Sequence, residues 1–293
     1  MPDAESRRFT VTEDAPAKIN LALHVTGQRE DGYHLLDMLV TFTGHGDRLS
    51  FTAADADGFT IGGRFAGDLG GDPGSNLVLK ARDLLRQAVL AQGGHAPAVC
   101  IHLDKNLPVA SGIGGGSADA AAALRGLQRF WNVRVPADIL SALALQLGAD
   151  VPMCLESRPL IARGIGEEIE RVVLPRLFLV LANPLKGVST PQIFRALAQK
   201  NNRALDLSAG DWIRVIEANC NDLEPPARSL TPEIAEISAL LAGSGADLVR
   251  MSGSGATCFG LFPSLQAAEA AAQQLHSQRP DWYFQATETV SGE

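Results

Sequence analysis

The stretch Pro108-Val-Ala-Ser-Gly-Ile-Gly-Gly-Gly-Ser117 runs directly into the alanine-rich segment Ala118–Leu124. Because glycine has no Cβ, several backbone N–H groups can converge on one point without steric cost. A helix start adds unpaired N–H groups and the positive end of the helix dipole. The stretch therefore predicts a phosphate cradle at a helix N-terminus, with Ser117 placed to reach a phosphate or a Mg²⁺ ion. The plain alternative is a flexible turn that happens to precede a helix.

Two widespread phosphate-binding motifs do not describe this loop. No Lys follows the glycines, as G-x-x-x-x-G-K-[ST] requires, and counting G-x-G-x-x-G from Gly112 puts Ser117 in place of the third glycine. A second glycine-rich stretch, Met251-Ser-Gly-Ser-Gly-Ala256, lies between two predicted strands. By itself it is also typical of a tight hairpin. Two such loops in one chain favour a cleft that holds a polyphosphate.

Around the first loop, apolar periodicity predicts alternating strands and helices. Period-two and short apolar runs predict strands over 17–25, 40–42, 49–52 and 99–103. Helical spacing predicts helices over 76–90, 118–131 and 136–147. The stretch 58–74 is rich in Gly and Asp and is predicted to be a loop.

The second half of the chain has a different order of elements. Strands are predicted over 177–182, 248–252, 257–262 and 283–289, with helices over 190–200, 211–220, from Thr231 onward and over 264–276. The order strand, helices, strand, strand, helix, strand is that of a ferredoxin-like split βαβ unit. We therefore expect two domains, residues 1–165 and residues 166–293.

Composition excludes several classes of protein. The chain has 293 residues and a formal charge of −8, which argues against a protein that coats nucleic acid. It has no apolar run of about 18 residues, no basic amphipathic stretch and no secretory signal at its start, so we expect a cytoplasmic protein without a membrane partner. Its four Cys are scattered without C-x-x-C and its His lack H-E-x-x-H spacing, which favours reduced thiols and predicts no metal-ligating residues.

Three polar residues stand out as candidates for chemistry. Lys18 and Asn20 lie mid-strand opposite the apolar positions, where a solvated strand face is the plain alternative. Asp150 follows Gly148 and precedes Val151-Pro152, where a helix N-cap is the plain alternative. Functionally, the carboxylate could accept the proton of a hydroxyl that attacks phosphorus. Lys18 would then keep that carboxylate ionised and neutralise charge on the transferred group.

Aromatic residues supply a second set of candidates. Tyr33 and His34 follow the turn Asp31-Gly32, and only two Tyr occur in the chain. Tyr33 is either a surface aromatic or a stacking surface for a planar ring, with His34 as a hydrogen-bond partner. Phe194 is either helix packing or a second stacking surface. The residues alone therefore indicate a phosphate-binding enzyme of two α/β-type domains.

Three segments together resemble the motifs of the GHMP small-molecule kinases. These are Ala15-Pro-Ala-Lys-Ile-Asn20, the loop Pro108–Ala118 and the stretch Met251–Ala256. The resemblance runs along most of the chain from Ala15 onward. Within the family, Thr26–His34, Gly114–Asp119 and Leu147–Pro152 are similar to the members that act in the non-mevalonate route to isoprenoid precursors.

This resemblance implies a fold, a reaction and a set of residues. The implied fold is the two-domain α+β GHMP kinase fold, with a mixed α/β N-terminal domain, a ferredoxin-like C-terminal domain and the active site in the cleft between them. The implied reaction uses ATP and Mg²⁺ to phosphorylate the 2-hydroxyl of the methylerythritol part of a cytidyl diphosphate substrate. Lys18 and Asp150 would be the catalytic pair. ATP would be bound by Pro108, Val109, Ala110, Ser111, Gly112, Ile113, Gly114, Gly115, Gly116, Ser117 and Ala118. The substrate would be bound by Asn20, Tyr33, His34, Phe194, Gly253, Ser254 and Gly255.

Some features depart from the family pattern or leave alternatives open. Ile113 stands where Leu is common, the segment Asn183–Thr190 is a residue or two longer than usual before Phe194, and no second carboxylate for Mg²⁺ is evident. A homoserine or mevalonate-type kinase would more often have Gly-Leu-Gly-Ser-Ser in the loop and would not need Tyr33-His34. A nucleotide-binding sensor would have no need of a base at Asp150. The chain is expected to be a monomer or a homodimer.

Overall fold

The computed structural model describes residues 10–69 and 73–291. Within them the chain forms two units, each assembled from separated segments. The first unit comprises Gly46–Leu107, Gly116–Leu155 and the segment that ends at Ala15. The second comprises Pro16–His45, Pro108–Gly115 and the segment that begins at Glu156. The division into residues 1–165 and 166–293 stays a prediction.

Two long strands carry residues of both units. Strand β1 spans Thr10–Gln28 and pairs with strand β2, which spans His34–Ala53. The sequence predicted two short strands, 40–42 and 49–52, where the structure has one. Strand β2 continues through Gly44 and Gly46, because its pairing with other strands outweighs the weak strand propensity of these two residues.

In the first unit, the end of β2 pairs with strand β4, Val99–Asp104, in antiparallel register from Arg48 opposite Asp104 to Ala53 opposite Val99. Strand β3, Gly58–Gly62, pairs with β4 in parallel. The prediction of a loop over 58–74 is therefore wrong for its first five residues. The pairing of β3 with a strand about 40 residues away is a long-range effect that local composition does not reveal.

The helices of the first unit are α1 (Leu77–Ala91), α2 (Gly115–Phe130), α3 (Ala137–Leu147) and α4 (Val151–Glu156). The structure confirms the three helices that were predicted here and adds the short α4. Helix α2 buries six consecutive residues, 118–123, of which five are alanine. It packs so closely on β2 that a Cβ on Gly126 would lie 2.2 Å from the Phe51 ring.

In the second unit, the start of β2 pairs with strand β5, Leu160–Gly164, from Leu36 opposite Gly164 to Val40 opposite Leu160. Strand β5 also pairs with β6, Glu168–Arg171. Both short strands were missed by the sequence reasoning. Charged residues occupy much of β6, so it has little of the apolar alternation that identifies a strand.

The remaining sheet of the second unit has four antiparallel strands, β7 (Phe178–Asn183), β8 (Leu248–Met251), β9 (Cys258–Phe262) and β10 (Tyr283–Glu288). Their order across the sheet is β10-β7-β9-β8. Helices α8 (Glu233–Gly243) and α9 (Leu265–Gln278) pack against these strands. The order confirms the predicted ferredoxin-like arrangement.

Three short helices lie between β7 and α8 along the chain: α5 (Thr190–Ala196), α6 (Trp212–Ala218) and α7 (Glu224–Leu230). Helix α5 ends four residues before the predicted end at Lys200. Helix α7 was not predicted; Pro225 and Pro226 lie in its first turn, where prolines are tolerated. Among the described residues, no helix is both long and apolar enough to cross a membrane.

Candidate active site

Lys18 and Asn20 lie on β1 within the second unit and are almost fully buried, with 3% and 0% of their surface exposed. The alternative of a solvated strand face is therefore wrong. Neighbouring positions on the same face, Ala22 and His24, are buried as well, so β1 is covered on both sides. Burying the polar side chains of a Lys and an Asn costs free energy unless they have polar partners. Their burial therefore indicates that this strand has a role beyond packing.

The main chain of β1 holds the glycine loop in place. The N–H of Lys18 donates a 2.9 Å hydrogen bond to the carbonyl oxygen of Ile113. Gly114 has a φ of +66°, and a Cβ there would lie 3.2 Å from the Cβ of Lys18. The loop therefore lies directly against Lys18, and Gly114 allows this approach.

The two glycine-rich stretches contact each other backbone to backbone. Gly112 has a φ of +76°, and a Cβ on it would lie 2.6 Å from the carbonyl oxygens of both Ser252 and Gly255. A Cβ on Gly253 would in turn lie 2.6 Å from the carbonyl oxygen of Gly112. The second stretch does connect two antiparallel strands, as a hairpin would, but its glycines also serve this contact.

One hydroxyl links three of the predicted segments. The Oγ of Ser252 accepts a hydrogen bond from the N–H of Asn20 at 3.0 Å and donates to the carbonyl oxygen of Gly112 at 3.1 Å. Next to it, Ser254 Oγ lies 2.7 Å from Thr190 Oγ1 at the start of α5. The structure thus brings Lys18, Asn20, Gly112 and Gly253 together in the second unit, as the motif analysis implied.

Asn221 is a supporting residue that the sequence reasoning missed. Its side-chain amide donates to the carbonyl oxygens of Met251, at 2.7 Å, and Gly253, at 2.8 Å, while its Oδ1 accepts from the N–H of Leu223. It is 3% exposed. No local signal identifies it, because its partners lie about 30 residues further along the chain.

The remaining loop residues divide between the two units. Pro108–Gly115 belong to the second unit, where Ser111 Oγ donates to the Pro108 carbonyl at 2.6 Å and the Ser111 carbonyl accepts from Thr257 N. Gly116, Ser117 and Ala118 form the first turn of α2 in the first unit. The N–H groups of such a turn have no carbonyl acceptor within the helix, so they are available to an anion.

The first unit contains a buried cluster of charged residues that come from both sides of the glycine loop in the sequence. Lys105 Nζ lies 2.5 Å from Asp47 Oδ2 and 2.7 Å from Asp119 Oδ2, and all three side chains are buried. Asp47 Oδ1 also accepts the N–H groups of Asn106 and Leu107, which lead into the loop. The sequence reasoning assigned no role to this cluster. The only sign of the cluster in the sequence was a Lys shortly before the glycine loop and an Asp shortly after it.

In this cluster the carboxylates of Asp47 and Asp119 share the single ammonium group of Lys105. One positive charge does not fully offset two buried negative charges, so the pKa of one carboxyl group is raised. Burial, opposed by Lys105 and assisted by Asp47, raises the pKa of Asp119 to about 7. Burial lowers the pKa of Lys105, but the charges of Asp119 and Asp47 outweigh it and raise that pKa overall. The cluster therefore keeps Lys105 charged and leaves Asp119 close to its titration midpoint at neutral pH.

The aromatic candidates lie in the second unit. The rings of His34 and Phe194 stack, with centroids 4.6 Å apart and planes inclined by 25°. Tyr33 is 59% exposed. Burial, and then the charge of Lys200, lowers the pKa of His34, so its ring is neutral at pH 7. His34 Nε2 and Asn20 Oδ1 are buried atoms without a hydrogen-bond partner in the described part of the chain, which is costly unless a ligand supplies one.

Asp150 lies in the first unit, directly before α4, and is half-buried. Its carbonyl oxygen accepts the N–H of Cys154 at 3.1 Å, as a residue at a helix start does. Asp150 therefore occupies the N-cap position of α4, as the plain alternative predicted. A residue at that position can still direct its carboxylate into a binding site. The catalytic role of Asp150 stays a prediction.

Comparisons with known proteins agree with the motif analysis. The model of the GHMP kinases N terminal domain matches residues 76–158, and the model of the GHMP kinases C terminal domain matches residues 196–281. The first match contains the glycine loop, and the second contains Met251–Ala256. Together the two matches confirm the predicted GHMP kinase fold.

Curated relatives match the chain over nearly its whole length. A protein of Rhizobium leguminosarum bv. trifolii (strain WSM2304) is 67% identical over 100% of this chain and 99% of its own length. A protein of Agrobacterium fabrum is 60% identical over 95% of this chain and 96% of its own. Both are named 4-diphosphocytidyl-2-C-methyl-D-erythritol kinase.

Solved structures of GHMP kinases also match the chain over nearly its whole length. A crystal structure of 4-(cytidine 5'-diphospho)-2C-methyl-D-erythritol kinase has a TM-score of 0.81 and 34% identity, covering 96% of this chain and 99% of that one. The homoserine kinase of Cytophaga hutchinsonii has a TM-score of 0.69 at 20% identity, covering 99% and 98%, and shares the fold. The chain therefore belongs to the GHMP kinases and, within them, to the family of 4-diphosphocytidyl-2-C-methyl-D-erythritol kinases.

Proposed function

We propose that this chain phosphorylates the 2-hydroxyl of 4-diphosphocytidyl-2-C-methyl-D-erythritol with ATP, in the non-mevalonate route to isoprenoid precursors. The observation that carries the proposal is the 67% identity to a relative of that name across the whole chain. The contact of the glycine loop with Lys18 and with the second glycine-rich stretch supports it, because such backbone packing suits a site built for phosphates.

The backbone N–H donors of the glycine loop suit the phosphates of ATP. Positive φ values disfavour side chains at Gly112 and Gly114, and at Gly112 neighbouring carbonyl oxygens also leave no room for a Cβ, so the loop presents bare backbone there. The first turn of α2 adds N–H groups and the positive end of the helix dipole. We assign the residues 108–118 to the triphosphate of ATP.

Mg²⁺ is part of the proposal because phosphoryl transfer needs charge neutralised between the β- and γ-phosphates. It usually keeps several waters and is bound by one or two protein groups together with substrate phosphates. Ser117, on the first turn of α2, offers a hydroxyl of a suitable kind. We therefore expect the phosphates of ATP to supply most of the ligands.

We assign the acceptor end to Lys18, Asn20 and Asp150. Lys18 would stabilise negative charge on the transferred group, and its main-chain bond to Ile113 fixes it relative to the loop. Asp150 would accept the proton of the 2-hydroxyl or orient that hydroxyl. Asn20 has a buried Oδ1 that lacks a partner among the described residues, which suits a hydrogen bond from the erythritol end of the substrate.

We assign the cytidine to Tyr33, His34 and Phe194, with Gly253–Gly255 on the phosphate side. The stacked rings of His34 and Phe194 provide a flat surface of the kind that bases stack on, and the unpaired His34 Nε2 suits a base edge. Since the ring is neutral, Nε2 is able to act as a donor or an acceptor according to its tautomer. We further propose that the protein acts in the cytoplasm, as a monomer or a homodimer, without a nucleic-acid or membrane partner.

The test is a substrate panel with the purified chain and Mg-ATP. ADP release is followed by a coupled assay, and the product is identified by phosphorus NMR. We expect turnover with 4-diphosphocytidyl-2-C-methyl-D-erythritol and none above background with mevalonate or homoserine. Faster turnover of either of those two alcohols would move the chain to another GHMP activity, and ATP binding without any turnover would make it a sensor.

A further inference from the structure

His24, Cys220 and Asp222 in the second unit bring three different metal-ligating atoms together. The imidazole nitrogen, the thiol sulfur and a carboxylate oxygen all lie within 4.8 Å of one another. Cys220 Sγ lies 3.6 Å from His24 Nε2 and 3.4 Å from Asp222 Oδ1. None of the three takes part in the proposed phosphoryl transfer.

Backbone pairing fixes the three side chains relative to each other. Leu23 N donates to the carbonyl oxygen of Cys220, and Asp222 N donates to the carbonyl oxygen of Leu23, both at 2.9 Å. Asn221 thus forms a parallel bridge with Leu23. Residues two apart in an extended chain point to the same side, so Cys220 and Asp222 project together, and His24 follows Leu23 on β1.

Hydrogen bonds behind the cluster orient its ligands. His24 is 2% exposed, and its Nδ1 lies 2.9 Å from the carbonyl oxygen of Arg203, which can only accept, so the proton is on Nδ1. The lone pair of Nε2 then faces Cys220, whose N–H donates to it at 3.3 Å. Asp222 Oδ2 accepts the N–H of Val25 at 2.8 Å, which leaves Oδ1 toward the thiol. Such outer partners are a regular feature of metal-ligating His and carboxylates.

The two separations that involve the Cys220 sulfur suit Zn²⁺. With Zn–S near 2.3 Å and Zn–N and Zn–O near 2.0–2.1 Å, tetrahedral angles place the ligand atoms about 3.5 Å apart. The sulfur-to-nitrogen and sulfur-to-oxygen distances of 3.6 and 3.4 Å lie on either side of that value. A mixed N, S, O set also suits Zn²⁺ better than Mg²⁺ or Ca²⁺, which prefer oxygen alone.

We infer that His24 Nε2, Cys220 Sγ and Asp222 Oδ1 bind one Zn²⁺ ion, with water as the fourth ligand. Binding replaces the thiol proton of Cys220, which leaves to solvent, and the hydrogen bonds now made by Nε2 and Oδ1 give way to the metal. The ion has an entry path, because Cys220 is exposed and lines, with Asp222 and Asn202, a cavity of about 560 Å³. The bound ion would tie β1 to the segment that carries Asn221.

The test is a Zn²⁺ titration of the chelator-treated protein by calorimetry, in wild type, Cys220→Ala and Cys100→Ala. Cys100 is the matched control, since it is the other cysteine that is not buried. We expect one Zn²⁺ per chain in wild type and Cys100→Ala. We expect Cys220→Ala to bind at least about 10-fold more weakly, because even the loss of an outer-shell partner costs about that much.

Two further readouts tie the binding to this cluster. Co²⁺ should give a thiolate-to-metal absorption band that Cys220→Ala and Asp222→Asn lose or weaken. Zn²⁺ should also slow alkylation of Cys220 by iodoacetamide, located by mass spectrometry, and leave Cys100 unaffected. Equal Zn²⁺ affinity in wild type and Cys220→Ala, or the absence of stoichiometric binding to wild type, would overturn the inference.

Discussion

The backbone N–H of Lys18 donates a 2.9 Å hydrogen bond to the carbonyl oxygen of Ile113. The glycine loop is therefore anchored at this point by the main chain of β1. A substitution at Lys18 can remove the charge beside the loop and keep this main-chain bond. The effect of the charge can therefore be measured separately from the effect of the bond.

Replacement of Lys18 by Met should lower kcat by roughly 10²-fold or more, because the ammonium that stabilises the transferred group is removed. Nucleotide binding should change much less, since the anchoring bond remains. Calorimetric titration with a non-hydrolysable ATP analogue and steady-state kinetics measure the two effects. Lys80→Met, at an exposed site on α1, is the control. A Lys18→Met enzyme with normal kcat would remove the side chain from the reaction.

Asp150→Asn tests the proposed base. Asn caps a helix about as well as Asp, so the start of α4 should be preserved and thermal stability nearly unchanged. The variant cannot accept the proton, and turnover should fall by roughly 10²-fold or more with ATP binding intact. Asp68→Asn, at an exposed site of the first unit, is the matched charge control. Near-normal turnover in Asp150→Asn would leave that residue as a cap alone.

Tyr33→Ala should weaken the cytidyl substrate by about 1–3 kcal/mol, the usual scale of base–aromatic stacking. Because Tyr33 is 59% exposed, its removal should cost little stability. The KM for the cytidyl substrate should rise while the KM for ATP stays constant. Leu230→Ala, at another exposed apolar site, should change neither KM. An unaltered KM for the cytidyl substrate would exclude Tyr33 from the pocket.

Asn221→Asp retains the acceptor for Leu223 N but removes the two donors to Met251 and Gly253. Each buried carbonyl left without a partner costs about 1–3 kcal/mol, so urea unfolding should show a clear loss of stability. ATP binding should weaken too, since Gly253 contacts Gly112. Asn201→Ala, at an exposed position, is the control. A fully stable Asn221→Asp protein would contradict the assignment of Asn221 as a support.

The buried cluster of Lys105, Asp47 and Asp119 predicts a dependence of stability on pH. Burial raises the pKa of Asp119 to about 7, above its ordinary value of 3.8, so the folded chain binds this proton more tightly than the unfolded chain. The corresponding stability is complete below about pH 4 and is lost as the pH rises through about 7.

Urea unfolding between pH 5 and pH 8 measures this effect. Wild type should lose stability over that range relative to Asp119→Asn, in which Lys105 keeps Asp47 as its partner and no carboxyl titrates at position 119. Asp55→Asn, at an exposed site, should follow wild type. Parallel pH profiles for wild type and Asp119→Asn would show that Asp119 does not titrate in this range.

Local chemistry allowed much of the site to be predicted from the sequence. The conformational demands of Gly112 and Gly114 are properties of single residues, so the loop and a helix after it were predicted from the order of the residues, although α2 begins three residues earlier than predicted, at Gly115. The ferredoxin-like order of β7 to β10 followed from apolar periodicity, which each strand and helix carries within itself. The family resemblance then connected segments that lie far apart in the chain.

What the sequence did not reveal depends on distant neighbours. A solvated strand face stayed open as an alternative for Lys18 and Asn20, because the sequence does not show what covers the second face of β1. Asn221 and Asp119 act through partners in other segments, and no spacing rule relates them. The same holds for His24 and Cys220, which are 196 residues apart and match no metal-binding motif.

Gly112 and the Ser252–Gly255 turn meet so closely that neither tolerates a Cβ at the contact, although 140 residues separate Gly112 from Ser252. On the ribosome, the glycine loop emerges long before its counterpart exists. It can acquire its final shape only after β8 and β9 have been synthesised and paired. A nascent chain that stops before Leu248 should accordingly fail to retain nucleotide, even though every residue of the loop is already present.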